Sequence, residues 1–175
     1  PLAPGDSVEI ETQERDLRKG MIVKREERKN QFARWNKKRK APQIIAANID
    51  GCCCVTSPVS PPFRPRFIDR VTVLTEYGDI PLTILCNKAD QEIPEETETR
   101  LAAYEHAGYS VRRCSAKTGE GIEALHEELR GKRTLFLGQS GVGKSTLINQ
   151  LIPGLFRKTG EISAKYNRGI HTTVY

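Results

Sequence analysis

The sequence predicts an α/β fold: a parallel sheet flanked by helices, preceded by a smaller β-rich part. Three observations carry this. From residue 51 onward, short apolar runs alternate with helical stretches of about ten to fifteen residues, the pattern of strands joined by crossover helices. The glycine-rich run GQSGVGKS at 138–145 stands between one such apolar run and one such helix. Residues 1–46, by contrast, hold short strand-like segments and no convincing helix, as in part of a small β-barrel.

Taken in order, VEIE at 8–11 alternates weakly, GMIVKRE follows Gly20, and PQIIAANI at 42–49 reads as a strand entering the next unit. The expected division is 1–46 for the barrel fragment and 47–175 for the α/β domain. Forty-six residues make a thin core, so the first part leans on its neighbour or lacks a strand. GCCCVT at 51–56 reads as a fully buried strand. The proline-rich SPVSPPFRPRF at 57–67 then feeds a helix, FIDRVTVLTEYG, which stops at Gly78. IPLTILC is a strand running into Asn87. Pro94 opens a helix with acidic residues in its first turn, suited to the helix dipole, and Gly108 follows its end. SVRRC is a strand, GIEALHEELRG a helix, and RTLFLG the strand before the glycine-rich run.

Composition narrows the class. Of 175 residues, 37% are hydrophobic and 29% charged, as in a globular domain, and no apolar run approaches membrane-spanning length. Three of the five cysteines are consecutive, Cys52 to Cys54. Neighbours on a strand point to opposite faces, so the three are badly placed for one metal and read as small apolar residues in a reducing compartment. The net charge of +6 is concentrated at 24–40, where nine Lys or Arg face two Glu and the rest of the chain is close to neutral. Lys24, Arg25, Arg28, Lys29, Arg34, Lys37, Lys38, Arg39 and Lys40, interleaved with Phe32 and Trp35, suit a phosphate backbone with base stacking, and are the candidate RNA-binding residues. The alternative is a solvated basic loop.

Gly138, Gln139, Ser140, Gly141, Val142, Gly143, Lys144 and Ser145 satisfy G-x4-GK[ST] in full. In such a loop backbone N–H groups turn inward around phosphates at a helix N-terminus. Lys144 is expected to reach the β- and γ-phosphates, Ser145 to coordinate Mg²⁺, and Thr146 to meet the α-phosphate. Asn87, Lys88, Ala89 and Asp90 can select the base. A carboxylate at Asp90 accepts from guanine's ring N–H and exocyclic amine, a donor pair that adenine lacks. Asn87 is expected to tie loops together and Lys88 to cover a base face. Ser115, Ala116 and Lys117 follow 28 residues after Asn87, with the Ala116 amide expected to donate to the guanine carbonyl and Lys117 to pack on the base. The base-reading loops thus precede the phosphate loop, the reverse of the ordinary order. That is what a circular permutation of a P-loop GTPase domain produces, since rejoined termini leave sheet and site unchanged.

CCVTSPVSPPFRPRFIDR, NKAD, SAKTGEGI, LGQSGVGKSTLIN and the RGIHTT near the end together resemble the RsgA (YjeQ) family of ribosome-small-subunit-dependent GTPases over nearly the whole chain. The resemblance implies an OB-fold before a circularly permuted GTPase domain, then a zinc-binding domain, and a role in late maturation of the small ribosomal subunit. It implies GTP hydrolysis to GDP and phosphate with Mg²⁺, stimulated by that subunit, and contact with its ribosomal RNA. It makes RGIHTT a switch in which His171 positions the attacking water and Thr172 or Thr173, with Thr173 favoured, meets Mg²⁺. Where family members read His-Thr-Thr-Thr, this chain reads HTTVY. No D-x-x-G pattern follows the phosphate loop, so that second switch and the Zn²⁺ domain are expected beyond Tyr175. The expected protein is monomeric and cytoplasmic, bacterial or plastid, with no membrane partner. The rivals are an RNA-binding GTP/GDP switch with little turnover and a P-loop ATPase in which NKAD is accidental.

Overall fold

The computed structural model describes residues 1–13, 16–153, 155 and the backbone of 173–174. Two antiparallel strand pairs come first: β1 (Val8–Gln13) with β2 (Asp16–Arg25), and β3 (Gln31–Asn36) with β4 (Ala41–Ala47). They form an OB-like part of two hairpins, with no ladder joining one pair to the other among the described residues. β5 (Gly51–Thr56), α1 (Pro65–Tyr77), β6 (Leu82–Asn87), α2 (Glu95–His106), β7 (Ser110–Cys114), α3 (Ile122–Leu129), β8 (Thr134–Gly138), α4 (Lys144–Leu151) and β9 (Thr173–Val174) follow. They build one sheet in the order β7-β6-β5-β8-β9, parallel in its first four strands, with β9 antiparallel on β8.

One expectation changes here. The segment at 42–49 is not a lead-in to the α/β sheet, because β4 pairs with β3, a strand inside the basic stretch. The chain then leaves β4 through Asn48, at a left-handed φ of 51°. On α2 the acidic run stays largely on the surface, with Glu95 and Glu96 exposed and Glu98 partly covered. Arg113 on β7 donates to both Glu98 oxygens, at 3.1 and 2.6 Å, and to Glu105 at 3.2 Å.

The sheet is buried on both faces, as a parallel sheet must be. Cys52 and Cys54 pack with Ile68, Val71 and Leu101 beneath α1 and α2, whereas Cys53 packs with Leu125, Leu147 and Ile148 beneath α3 and α4. The strand pleat divides the cysteine triplet between two cores, and all five cysteines are free and buried. Burial pushes the Cys54 thiol up to about 12 and that of Cys86 to about 11, which leaves both as inert apolar residues. Phe32 and Ala46 of the β3–β4 hairpin are buried in the α1 side of this core, so the OB-like part and the sheet share apolar packing.

One ion pair fastens the N-terminus. Arg28 donates to both carboxylate oxygens of Asp6, at 2.6 and 2.8 Å, and the Ala3 N–H adds a third bond at 2.7 Å. Hydrogen bonding from Arg28 lowers the Asp6 carboxyl from 3.8 to about 2. Its folded value lies below its unfolded one, so the stabilisation is present above about pH 3.8 and is lost as pH falls through about 2. Asp6→Asn is therefore expected to melt below wild type at neutral pH, with the gap closing as pH falls across that window. A gap unchanged in thermal melts across the window would show that the carboxylate's charge contributes nothing there. Among the described residues, no helix is long and apolar enough to cross a membrane.

Candidate nucleotide-binding site

Strand register explains how motifs in reversed order converge. Asn87 pairs with Cys114, Thr56 with Cys86, and Val55 with Gly138, so β5, β6, β7 and β8 end level on one sheet edge. The loops carrying NKAD, SAK and the phosphate motif all leave from those carboxyl ends. With α1 and α2 on one face and α3 and α4 on the other, the change of side falls between β5 and β8. Sheets of this kind bind ligands at such a switch point.

Asn87, 1% exposed, joins the three loops. Its amide donates to the Val142 carbonyl in the phosphate loop at 2.8 Å, and its carbonyl accepts from the Ala116 N–H at 3.0 Å. The bond to Val142 turns the Asn87 carbonyl towards the Ala116 amide, the donor expected to meet the guanine carbonyl. A guanine carbonyl would have to share that donor. Lys88, at φ 67°, donates to the carbonyls of Ser60 and Gly141 at 2.6 and 2.9 Å, pinning the proline-rich loop to the phosphate loop. Asp90 accepts from the Ser115 hydroxyl at 2.6 Å, which holds its carboxyl below the ordinary range, and Lys117 stands 3.8 Å away. Ala89 N–H bonds the Cys114 carbonyl at 3.0 Å. Two supports had no motif to announce them, Ser60 beneath Lys88 and Gln150, whose amide donates to the Ala116 carbonyl at 3.2 Å.

The phosphate loop is cut to this frame. Gly143 has φ 90°, and a Cβ there would stand 2.4 Å from Asn87 Nδ2; one on Gly138 would stand 2.4 Å from the Val55 carbonyl oxygen. Only glycine fits at either place. Lys144 is buried, yet among the described residues no carboxylate neutralises it. Its ammonium donates to the Gly138 and Gln139 carbonyls at 2.8 Å each, and burial lowers its pKa. Ser145 and Thr146 are exposed at the start of α4, and among the described residues the Ser145 hydroxyl has no protein partner. A buried cation donating to two backbone carbonyls, beside an exposed hydroxyl at a helix start, fits a phosphate chain with a divalent cation.

Asn87, Lys88 and Asp90 of the first base-reading loop, Ala116 and Lys117 of the second, and Gly143 and Thr146 help wall a pocket of about 230 Å³. That suits a base alone, with the phosphates lying along the open loop. Of the basic residues read as RNA-binding, Arg28 is corrected: its guanidinium is committed to Asp6, and its side chain is 11% exposed. Lys24 pairs with Glu26 at 3.0 Å on the surface. Arg25, Lys29, Arg34, Trp35 and 37–40 remain on or beside the β3–β4 hairpin. His171 and Thr172 lie outside the described residues, as does the side chain of Thr173.

This sheet, with its phosphate and base-reading loops in reversed order, defines a circularly permuted P-loop GTPase domain. Comparison with known proteins agrees. The RsgA GTPase family matches residues 25–175. A Bacteroides fragilis protein named small ribosomal subunit biogenesis GTPase RsgA is 42% identical across the whole chain, and its namesake from Borreliella burgdorferi is 44% identical. The chain covers 57% and 56% of these relatives, so it spans little more than half their length. The crystal structure of YjeQ from Thermotoga maritima is 33% identical with a TM-score of 0.70, over 89% of this chain and 52% of that one. YloQ, described as a circularly permuted GTPase, is 32% identical with a TM-score of 0.59, over 83% and 48%. The chain belongs to the RsgA GTPase family.

Proposed function

We propose that this chain is the nucleotide-binding part of a GTPase acting in late maturation of the small ribosomal subunit. The observation that carries the reading is Asn87, which binds the base-reading and phosphate loops into one site. Hydrolysis of GTP to GDP and phosphate asks the protein for position and charge rather than covalent chemistry. Asp90 accepts from the guanine ring N–H and amine. Lys144 exchanges its two carbonyl partners for β- and γ-phosphate oxygens, and Thr146 meets the α-phosphate. Mg²⁺, held by the Ser145 hydroxyl and Thr173, would neutralise charge on the phosphates. His171 orients the attacking water. The exposed cations of 24–40 meet ribosomal RNA, the chain divides into an OB-like part at 1–46 and a GTPase domain at 47–175, and a Zn²⁺ domain lies beyond Tyr175. The protein works as a monomer in the cytoplasm.

The test is GTP turnover by the intact protein, alone and with purified small ribosomal subunits, with ATP in parallel. The subunit is expected to raise GTP turnover by as much as about 10³–10⁵-fold, the range for activating partners of related GTPases, and to leave ATP turnover untouched. Guanine-selective binding with no such rise would overturn the subunit-stimulated enzyme and leave an RNA-binding switch. Equal use of ATP would overturn the guanine site itself.

A further inference from the structure

We propose that the groove between β3 and the last turn of α1 is a stacking site for unpaired RNA bases, with Trp35 on one wall and Tyr77 on the other. It rests on the ribosomal-RNA reading above and extends that surface from the OB-like hairpin onto a helix of the GTPase domain.

At about 640 Å³ the groove lies within the roughly 300–1,000 Å³ typical of ligand sites. Gln31, Ala33, Arg34 and Trp35 of β3 line one wall. Leu74, Tyr77 and Gly78 line the other. The walls are fixed against each other. Phe32 is buried in the core shared with α1, and Gly78 lies so close to β3 that a Cβ on it would stand 2.9 Å from the Gln31 carbonyl oxygen.

Chemistry selects the occupant. Tyr77 is 93% exposed and Trp35 62%, so each leaves most of its ring open to solvent. Around them stand Arg25, Lys29 and Arg34 against a single acid, Glu27. Arg34 reaches the Gln43 side-chain carbonyl at 3.4 Å and Arg25 the Glu26 backbone carbonyl at 3.0 Å, and among the described residues neither is paired with an acid. Cations along a groove with aromatic rings between them match single-stranded nucleic acid, whose phosphates and base faces are both accessible. A duplex hides its base faces in the stack and could use only the cations.

Trp35 is the only tryptophan in the sequence, so its fluorescence reports the groove. The chain is titrated at low salt with a short oligoadenylate, with an abasic sugar–phosphate chain of equal length, and with a duplex. Oligoadenylate is expected to quench Trp35 and to bind more tightly than the other two. Tyr77→Ala is expected to weaken oligoadenylate at least about fivefold, with Tyr77→Phe close to wild type, since one stacked base is worth about 1–3 kcal/mol. GDP binding is expected to be unchanged in both variants. Salt-sensitive binding that is equal in wild type and Tyr77→Ala, with no more quenching by bases than by the abasic chain, would overturn the stacking site while leaving the RNA reading intact. No binding of any of the three would overturn both. Self-association that Tyr77→Ala abolishes would assign the groove to a second copy of the chain and overturn the proposal.

Discussion

Asp90→Asn is expected to turn the site from guanine to xanthine nucleotides. A carboxylate offers two acceptors, and guanine presents two donors side by side. Asparagine keeps one acceptor and sets an amide N–H against the exocyclic amine, donor facing donor. The lost charge-assisted hydrogen bond and the unmatched donor both act against guanine, so GDP should weaken on the order of 10²–10⁴-fold. Xanthine carries a carbonyl in place of that amine. It accepts from the new amide while its ring N–H still donates to the asparagine carbonyl, so XDP should overtake GDP. The Ser115 hydroxyl, now 2.6 Å from Oδ1, can donate to an asparagine oxygen as it does to the acid, so the loop should keep its shape. Competition against a fluorescent GDP analogue, with ADP as control, measures the change. Unaltered preference for GDP would mean that Asp90 does not read the base.

Much of the α/β half was legible because its signals are local. GCCCVT, IPLTILC and TLFLG are apolar runs bounded by turn residues, and each is a strand of the parallel sheet. β3 was not legible. In QFARWN only Phe32 is buried, so the segment carries neither the alternation nor the apolar run by which strands announce themselves. What makes it a strand is β4, together with the place for Phe32 in a core built mostly by residues after 51. The site divides along the same line. Its motifs are contiguous and could be read. Its internal bonds join residues far apart: Asn87 to Val142, Lys88 to Ser60, Gln150 to Ala116. Arg28 looks like its basic neighbours until Asp6, 22 residues away, engages it.

Those long-range bonds make Asn87 the side chain whose loss should damage most at once. Asn87→Ala leaves the Val142 carbonyl and the Ala116 N–H without partners, in residues that are 1% and 4% exposed. A buried polar group left unsatisfied costs about 1–3 kcal/mol. Two such groups cost roughly 2–6 kcal/mol, a large share of the 5–15 kcal/mol that stabilises a typical domain. For a chain of this size that corresponds to a fall in Tm of about 4–24 °C. Nucleotide affinity should fall with it, and for a reason separable from unfolding. The Asn87 amide also fills the space beside Gly143, where a Cβ would come within 2.4 Å of it. Without that support the phosphate loop is no longer held at the distance that the base loop sets. The loss should therefore be equal for GDP and GTP, because it acts on the frame between base and phosphates rather than on the terminal phosphate. Asn87→Asp sharpens the test: it keeps an acceptor for the Ala116 N–H but faces the Val142 carbonyl with another oxygen. It should lose nucleotide affinity as the alanine variant does while retaining more of the Ala116 side of the frame. Melting curves and GDP and GTP affinities, measured below the Tm of each variant, decide the matter. Wild-type affinity in both variants would mean that the phosphate loop holds its shape unaided and that Asn87 serves stability alone.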